Sequence, residues 1–398
     1  MQAGLRSTLI GAMFLMATSA IGPGFITQTT TFTVQLGAAF AFAIAVSIVV
    51  DIALQMNVWR IIGVTGYRAQ ELGNRVLPGL GFLMAFLLLV GGFVFNVGNV
   101  SGAGLGIQAM LGVDPKIGGA VSALIAIGLF LSKRAGVAID RAVVVLGVVM
   151  ITLTTFVAIV SGPPVGAVLR NVVLPEQVSA LAITTLIGGT VGGYIVYAGA
   201  HRLLDSGVSG RDNVQTITQA SIIGILITGL MRILLFLAIL GVVTMGAQLD
   251  PESLAASAFQ VAAGEVGLRV FGIVLWAAAI TSVIGASYTT VTFITPRTAG
   301  GERLRPWLVA GFIVITSVIY LLLGTAPQTL LVFAGAFNGI LLPVGIGVIL
   351  FVGWFRGDLM GGYRYPKWLL VLGTLAWLAT LYFAVNAISP AIELFTGG

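Results

Sequence analysis

Cysteine is absent, histidine occurs once, and 398 residues carry only 19 basic and 13 acidic side chains. Each shortage excludes a class of chemistry. Without cysteine there is no disulfide, no thiolate metal site and no cysteine nucleophile. A single histidine, His201, cannot build a multi-histidine metal centre. No paired intramembrane carboxylates are available for acid-base work, which argues against an enzyme, and no cofactor is expected. The charged share of 8% compares with about 25% in a soluble domain, whose surface must face water. With 58% hydrophobic residues and a mean hydropathy of +1.10, the composition is that of an all-α polytopic membrane protein. So little charge leaves no room for a large domain outside the bilayer, which argues against a receptor.

Apolar runs of about 20 residues, enough to cross roughly 30 Å of hydrocarbon, mark the spans. Eleven are expected, at residues 9–34, 38–58, 79–111, 117–131, 142–160, 179–200, 218–245, 266–294, 307–323, 329–354 and 368–388. The first follows Arg6 as a signal peptide would, but it lacks a small-x-small cleavage site and continues into the second span, so it reads as a retained helix. Lysine and arginine set the direction, because cytoplasmic loops keep positive charge. Arg6, Arg60, Arg68, Arg75, Lys133, Arg134, Arg141, Arg202, Arg211, Arg297, Arg303, Arg305, Arg356, Arg364 and Lys367 fall on one side, against Lys116 and Arg170 on the other. The amino terminus is therefore expected in the cytoplasm and the carboxyl terminus outside, in what reads as a prokaryotic plasma membrane. The net charge of +6 is then a mark of topology and not of a nucleic-acid surface. The expected partners are the lipid bilayer and a small ion or small solute, with no obligatory protein partner announced.

Glycine contributes 54 residues, roughly double its usual share, and much of it suits close helix packing in lipid. Two clusters stand apart. Gly22-Pro23-Gly24 interrupts the first span, and Gly188-Gly189-Thr190-Val191-Gly192-Gly193 interrupts the sixth. Five spans separate them, which predicts a five-plus-five inverted repeat within one transporter domain: repeat one over about 9–160, repeat two over about 179–354, and an extra helix over about 368–388. Proline removes a backbone donor and glycine weakens the helix, freeing groups that hydrocarbon cannot satisfy. Such paired breaks mark the substrate site of many secondary transporters; ordinary kinks are the alternative. The substrate-binding candidates are Gly22, Pro23, Gly24, Phe25, Gln28 and Thr29 at the first break and Val191, Gly192, Gly193 and Tyr194 at the second. Hydroxyls on membrane helices often bond back to a carbonyl one turn earlier. In the run Thr27-Gln28-Thr29-Thr30-Thr31, not every residue is expected to hide that way.

The chain resembles the NRAMP family of divalent-metal transporters, and the similarity is spread over nearly all spans. Ile21-Gly22-Pro23-Gly24-Phe25 stands where the family has I-D-P-G-N. Leu54-Gln55 ends the second span as family members do. Asn96-Val97-Gly98-Asn99-Val100-Ser101-Gly102-Ala103 resembles D-L-A-E-V-x-G-[ST], and Gly189-Thr190-Val191-Gly192-Gly193-Tyr194 stands where the family has G-A-T-V-M-P-H. Ala277-Ala278-Ala279-Ile280-Thr281-Ser282-Val283 resembles the family's hydroxyl-bearing eighth helix. The resemblance implies the five-plus-five fold, alternating access and a divalent-cation cargo. It also locates the departures. The family's side-chain metal ligands fall at Gly22, Phe25 and Gly192 here, so none survives. The loss of a soft thioether argues against manganese or iron selectivity, and the loss of a carboxylate puts metal transport itself in doubt. The acidic positions of the third helix are Asn96 and Asn99, and the histidine of the sixth is Tyr194. The usual proton path is therefore expected to be gone.

The remaining deep charges are Asp51 in the second span and Arg232 in the seventh, both candidates for coupling or an inner vestibule alongside Asn96 and Asn99. A contact between them is attractive because their helices are repeat mates, although their expected depths differ by several turns. His201 reads as a capping residue or an ion contact. Asn338 reads as a substrate contact or a helix-to-helix hydrogen bond. The cargo expected first is a divalent cation, with a small organic solute as the alternative. A divalent cation that keeps its water shell, such as magnesium, fits a site of hydroxyls, amides and carbonyls. A small organic solute fits the aromatic faces of Phe25 and Tyr194 and the room left by glycine. An ion channel is the third reading. Saturable, counter-transportable flux in proteoliposomes is expected for a carrier, and an ohmic single-channel current would rule the carrier out.

Overall fold

The structure, a computed structural model, describes residues 21–132, 135–295, 298–323 and 325–396. The first part of the first expected span, with Arg6, and the loop residues Lys133, Arg134 and Arg297 lie outside the described residues. Every regular element described is helical: α1 Pro23–Leu36, α2 Phe40–Thr65, α3 Ala69–Val76, α4 Leu80–Leu111, α5 Pro115–Leu131, α6 Ala135–Ser161, α7 Val165–Val173, α8 Ala180–Thr190, α9 Ile195–Asp205, α10 Val214–Thr244, α11 Leu254–Thr292, α12 Ala299–Leu322, α13 Pro327–Phe355 and α14 Lys367–Thr396, with short 3-10 turns between some of them.

Among the described residues, eight helices are long and apolar enough to cross a membrane, and a bent pair, Val145–Ser161 with Val165–Val173, makes a ninth. The stretch Pro23–Thr65 holds two expected spans separated by the 3-10 turn Gly37–Ala39, and Pro115–Leu131 is a shorter apolar helix. All eleven expected spans therefore correspond to helices, the first from Pro23 onward. Two boundaries differ from expectation. The second span does not stop near Val58 but runs to Thr65, where Gly66 ends it in the left-handed conformation (φ 71°). It continues because Trp59 is fully buried and its indole donates to Val196 O at 2.9 Å. The eighth helix begins at Leu254, twelve residues before the expected start, and bends at Gly264 (φ 63°).

Local sequence signals set several of the helix starts. Asp114 accepts from the Lys116 and Ile117 N–H groups at the head of α5, with Pro115 in the first turn. Ser179 caps α8 by accepting from Ala182 N at 3.1 Å, and Thr298 does the same for α12. The apolar rows decide what faces outward. Leu124, Ile159, Leu322 and Phe82 lie exposed along the outer helices, where they meet lipid and not water. Inside, α4 packs against α1, α5, α11, α12 and α13, while α2, α8, α9 and α10 form the opposite half of the core around Trp59, Ile187 and Phe236.

Small residues permit this density. A β-carbon at Gly188 would lie 2.0 Å from Gly335 O and 2.4 Å from Gly339 N, so α8 and α13 touch backbone to backbone. Gly188→Ala is expected to lower stability by roughly 2 kcal/mol or more, read as a drop in melting temperature in detergent. Gly311→Ala, at a position with open space around it, should be neutral or slightly stabilising.

Candidate functional site

The first break is the start of a helix. Gly22 is extended (φ −103°, ψ −172°) and Pro23 opens α1, a position where its missing N–H costs nothing. The second break is narrower than expected. Gly188 and Gly189 remain helical, and α8 ends only at Thr190. The chain then turns through Val191–Tyr194, with Gly193 at φ 54°, before α9 begins. The two earlier glycines give close approach and not an interruption: Gly188 meets α13, and a β-carbon at Gly189 would lie 2.2 Å from Gln28 Oε1. Gly192 is confined by its own turn, since a β-carbon there would lie 2.3 Å from Gly188 O.

Around Gly22 the structure gathers Ser282 of α11 and Asn99 of α4. A β-carbon at Gly22 would lie 2.6 Å from Ser282 Oγ and 3.7 Å from Asn99 Oδ1. The Tyr194 hydroxyl lies beside Asn99, and the Tyr194 ring meets Phe95 edge-on at 5.8 Å. Neither amide atom of Asn99, nor the Tyr194 hydroxyl, completes a hydrogen bond of full geometry, although all are buried. This cradle is uncharged.

One turn along α1 the site becomes ionic. Phe25 lies under the guanidinium of Arg232, 4.3 Å from Cζ to ring centre. Arg232 Nη1 donates to Thr190 Oγ1 at 2.9 Å and reaches Leu186 O at 3.4 Å. Asp51 interacts electrostatically with Arg232 and lies near Thr190. Neither carboxylate oxygen of Asp51 completes a hydrogen bond, nor do Nε and Nη2 of Arg232. The expected difference in depth between the two charges does not exist. With α2 extending to Thr65, Asp51 stands near its middle, and α10 packs antiparallel beside it, Gln55 Nε2 donating to Ser221 O at 2.9 Å.

Other candidates serve as ties between helices. Gln28 Nε2 donates to Leu331 O at 3.0 Å, and its amide is wedged between Gly189 and Gly335. Thr29 bonds back to Phe25 O at 2.7 Å, Thr30 to Ile26 O and Thr33 to Thr29 O, whereas the buried hydroxyl of Thr31 has no hydrogen-bond partner. Gly24 faces the Gln28 amide and Leu331. Asn338 Nδ2 donates to Gly91 O at 3.0 Å and to Ala334 O at 2.9 Å, while its Oδ1 lies against Gly193. Asn96 donates to Ser287 Oγ at 3.1 Å and Thr316 Oγ1 at 2.9 Å, joining α4 to α11 and α12.

The end of the bundle that carries most of the basic residues is closed by a second polar cluster. Arg68, 1% exposed, pairs with Asp205 at 2.7 Å and donates to Thr292 O at 3.0 Å, drawing together the loop after α2 and the ends of α9 and α11. His201 Nε2 accepts from Ala69 N at 3.4 Å, and its ring packs on Phe293 and Tyr197. His201 thus belongs to this closure. Between α4 and α13 a small, mostly apolar crevice, lined in part by Met84, Leu88 and Leu342, reaches Gly193 and Tyr197. Among the described residues no three His, Asp or Glu side chains stand together as a metal site.

Two residues at the site were not singled out as candidates, Thr190 and Ser282. Both lay inside quoted motifs. What marks them is proximity across 42 residues to Arg232 and across the bundle to Gly22, which spacing along the chain does not reveal.

Helices broken at corresponding places, with a polar cradle between them, define a multi-pass membrane transporter of the five-plus-five inverted-repeat class. Solved structures agree with this. A manganese transporter from Eremococcus coleocola, solved with an aromatic bis-isothiourea compound, aligns with a TM-score of 0.74 over 98% of this chain and 88% of its own, at 18% identity. MhsT in complex with L-phenylalanine aligns with a TM-score of 0.70 over 95% and 98%, at 17% identity. The chain belongs to the Nramp family: the pattern of natural resistance-associated macrophage protein-like sequences matches residues 13–389. It is 50% identical over 374 residues (94% of this chain and 92% of the relative) to YcsG of Bacillus subtilis strain 168, described as an uncharacterized membrane protein. A Haemophilus influenzae membrane protein, described in the same way, is 46% identical over 380 residues, 96% of this chain and 94% of its own.

Removing one member of a buried charge pair strands the other, at a cost of about 3–5 kcal/mol. Asp51→Asn and Arg232→Gln should each lower the melting temperature sharply, and the double variant should recover most of the loss. Additive losses in the double variant would show that the two charges do not support one another.

Proposed function

We propose that this chain is a secondary transporter that moves a small organic solute by alternating access around α1 and the α8–α9 break. The supporting observation is the guanidinium of Arg232 over Phe25. At the place where the family's pattern puts a ligand for a cation, this chain presents an aromatic face already covered by a fixed positive charge. A bare dication entering there would meet the Arg232 guanidinium and no carboxylate at Gly22, and the nearby Asp51 carboxylate is already engaged with Arg232. The cargo would lie among Gly22, Phe25, Asn99, Tyr194 and Ser282, with Val191, Gly192 and Gly193 contributing backbone groups of the turn. The domain would work as two repeats of about 9–160 and 179–354, with the basic end and the amino terminus in the cytoplasm and the carboxyl terminus outside. Arg68 and Asp205 would then form the inner gate.

The second reading is a divalent cation, hydrated Mg²⁺ above all, moved without the family's usual proton path. Family membership and the manganese-transporting structural neighbours favour it, and the uncharged amides and hydroxyls at the site could receive a water shell. The fold itself does not decide, since MhsT of the same architecture holds an amino acid.

The test is uptake into proteoliposomes of Mg²⁺, Mn²⁺, Ca²⁺ and a panel of anionic, neutral and cationic organic solutes. Saturable uptake of an organic solute is expected, with apparent affinity weakened about tenfold or more, roughly 1.4 kcal/mol, by Phe25→Ala. Saturable Mg²⁺ flux with no organic solute moved would establish the second reading and overturn the first.

A further inference from the structure

The buried pair of Arg232 and Asp51 is not closed. Arg232 spends Nη1 on Thr190, and Phe25 covers one face of the guanidinium. The atoms left over, Nε and Nη2, are the two donors that share one edge of the group, and neither has an acceptor. Two parallel N–H groups on one edge are the geometry that receives both oxygens of a carboxylate. Arg232 is 2% exposed and Asp51 wholly buried, so a polar edge left open here is costly unless the site is built to be filled. The Asp51 carboxylate, on the neighbouring helix, lies near Thr190 and does not fill it: neither of its oxygens completes a hydrogen bond to Arg232.

We infer that the open edge of Arg232 receives the carboxylate of the cargo, so that the solute carried is a small monocarboxylic acid, moved together with one proton that Asp51 holds. This rests on the organic-solute reading and adds the chemical class and the coupling. In the empty site Asp51 is ionised and balances Arg232 across Thr190. When a carboxylate seats on Nε–H and Nη2–H it takes over that balance, and Asp51 binds one proton from water on the loading side. An O–H bond forms on Asp51 at loading and breaks at release; no bond in the cargo changes. Net charge at the pair is zero in both states, so each cycle carries one carboxylate and one proton and no net charge.

Few other groups compete for that proton. Of the elements packed on α2, α1, α8 and α13 carry no titratable side chain. On α9, Tyr197, His201, Arg202 and Asp205 lie beyond the Trp59–Val196 contact, toward the Arg68 cluster. Arg170 of α7, Lys367, Tyr382 and Glu393 of α14, and Arg211, Asp212 and Asp358 of the 3-10 turns are exposed. Arg232 is the charge that acts on Asp51. The pair is also attached to both breaks, through Thr190 at the end of α8 and Phe25 in the first turn of α1, so its occupancy is set where the two half-helices meet the cargo.

The experiment uses the full chain in proteoliposomes with pyruvate, lactate and benzoate, and with lactamide and benzamide as neutral counterparts. Acids and not amides should enter, an acid exterior should drive accumulation, and an imposed membrane potential should not. The double variant Asp51→Asn/Arg232→Gln, checked for folding by its melting curve, should lose uptake of the acids by about 100-fold or more, because its site no longer pairs with a carboxylate. Asp51→Asn alone should lose acid-driven accumulation, and added benzoate or lactate should raise its melting temperature more than that of the wild type, since the acid supplies the missing negative charge. Acid uptake that survives in the double variant, potential-driven uptake, or equal entry of acids and amides would each overturn the inference. If amides or amines enter and acids do not, the carboxylate site is wrong while the organic-solute reading stands. If only Mg²⁺ enters, both fall.

Discussion

A guanidinium halfway along a membrane helix is tolerated only where protein receives its charge and its N–H groups. Arg232 meets this demand with groups drawn from three other elements: the hydroxyl that ends α8, the aromatic ring in the first turn of α1, and the carboxylate at the middle of α2. Two of these, Thr190 and Phe25, lie at the breaks in the helical ladder, while Asp51 comes from an unbroken helix. Part of the electrostatic demand of Arg232 is thus met by the ends of the two half-helices. A shift of either half-helix changes what Arg232 is paired with, and any change in that pairing is felt by both half-helices.

Around this pair, polarity is used to hold helices in place. Gln28, Asn338 and Asn96 each direct an amide to a neighbouring helix, and Thr29, Thr30 and Thr33 satisfy carbonyls on their own. In lipid there is little hydrophobic gain when one apolar helix meets another, so hydrogen bonds and close glycine contacts carry more of the work of fixing register. Most of the buried polar side chains near the breaks are spoken for in this way. Among the groups that remain open are the Asn99 amide, the Tyr194 hydroxyl, the Asp51 carboxylate and one edge of Arg232.

Hydropathy made the spans legible, because a helix that crosses hydrocarbon must be apolar along its length. The proline in Gly22-Pro23-Gly24 made the first break legible, since a missing donor acts locally. The extent of the second break was not legible. Gly188 and Gly189 resemble helix breakers in the sequence, yet they are helical because α13 and Gln28 approach them too closely for any side chain. Asp51 was readable as a buried charge, and its contact with Arg232 as an attractive pairing of repeat mates, but not at the depth that brings the two together. Its depth depended on where α2 ends, and that end is set by Trp59, Gln55 and their partners on α9 and α10 rather than by hydropathy. Gln28, Thr29, Asn96 and Asn338 show the same limit: residue type announces a polar need, and only the neighbours decide whether a ligand or another helix meets it.

The turn between α8 and α9 restricts which residues the site can accept. At Gly192 a β-carbon would run into the backbone carbonyl of Gly188, and at Gly22 it would meet Ser282. The serine can rotate aside; the carbonyl can move only if the turn is rebuilt. A side chain at Gly192 therefore demands a new course of the main chain before it can contribute anything to the site. The two positions differ in kind: one can be exchanged by turning a neighbouring side chain, the other is held by the backbone itself, so the turn and not its side chains decides what this half of the site can present.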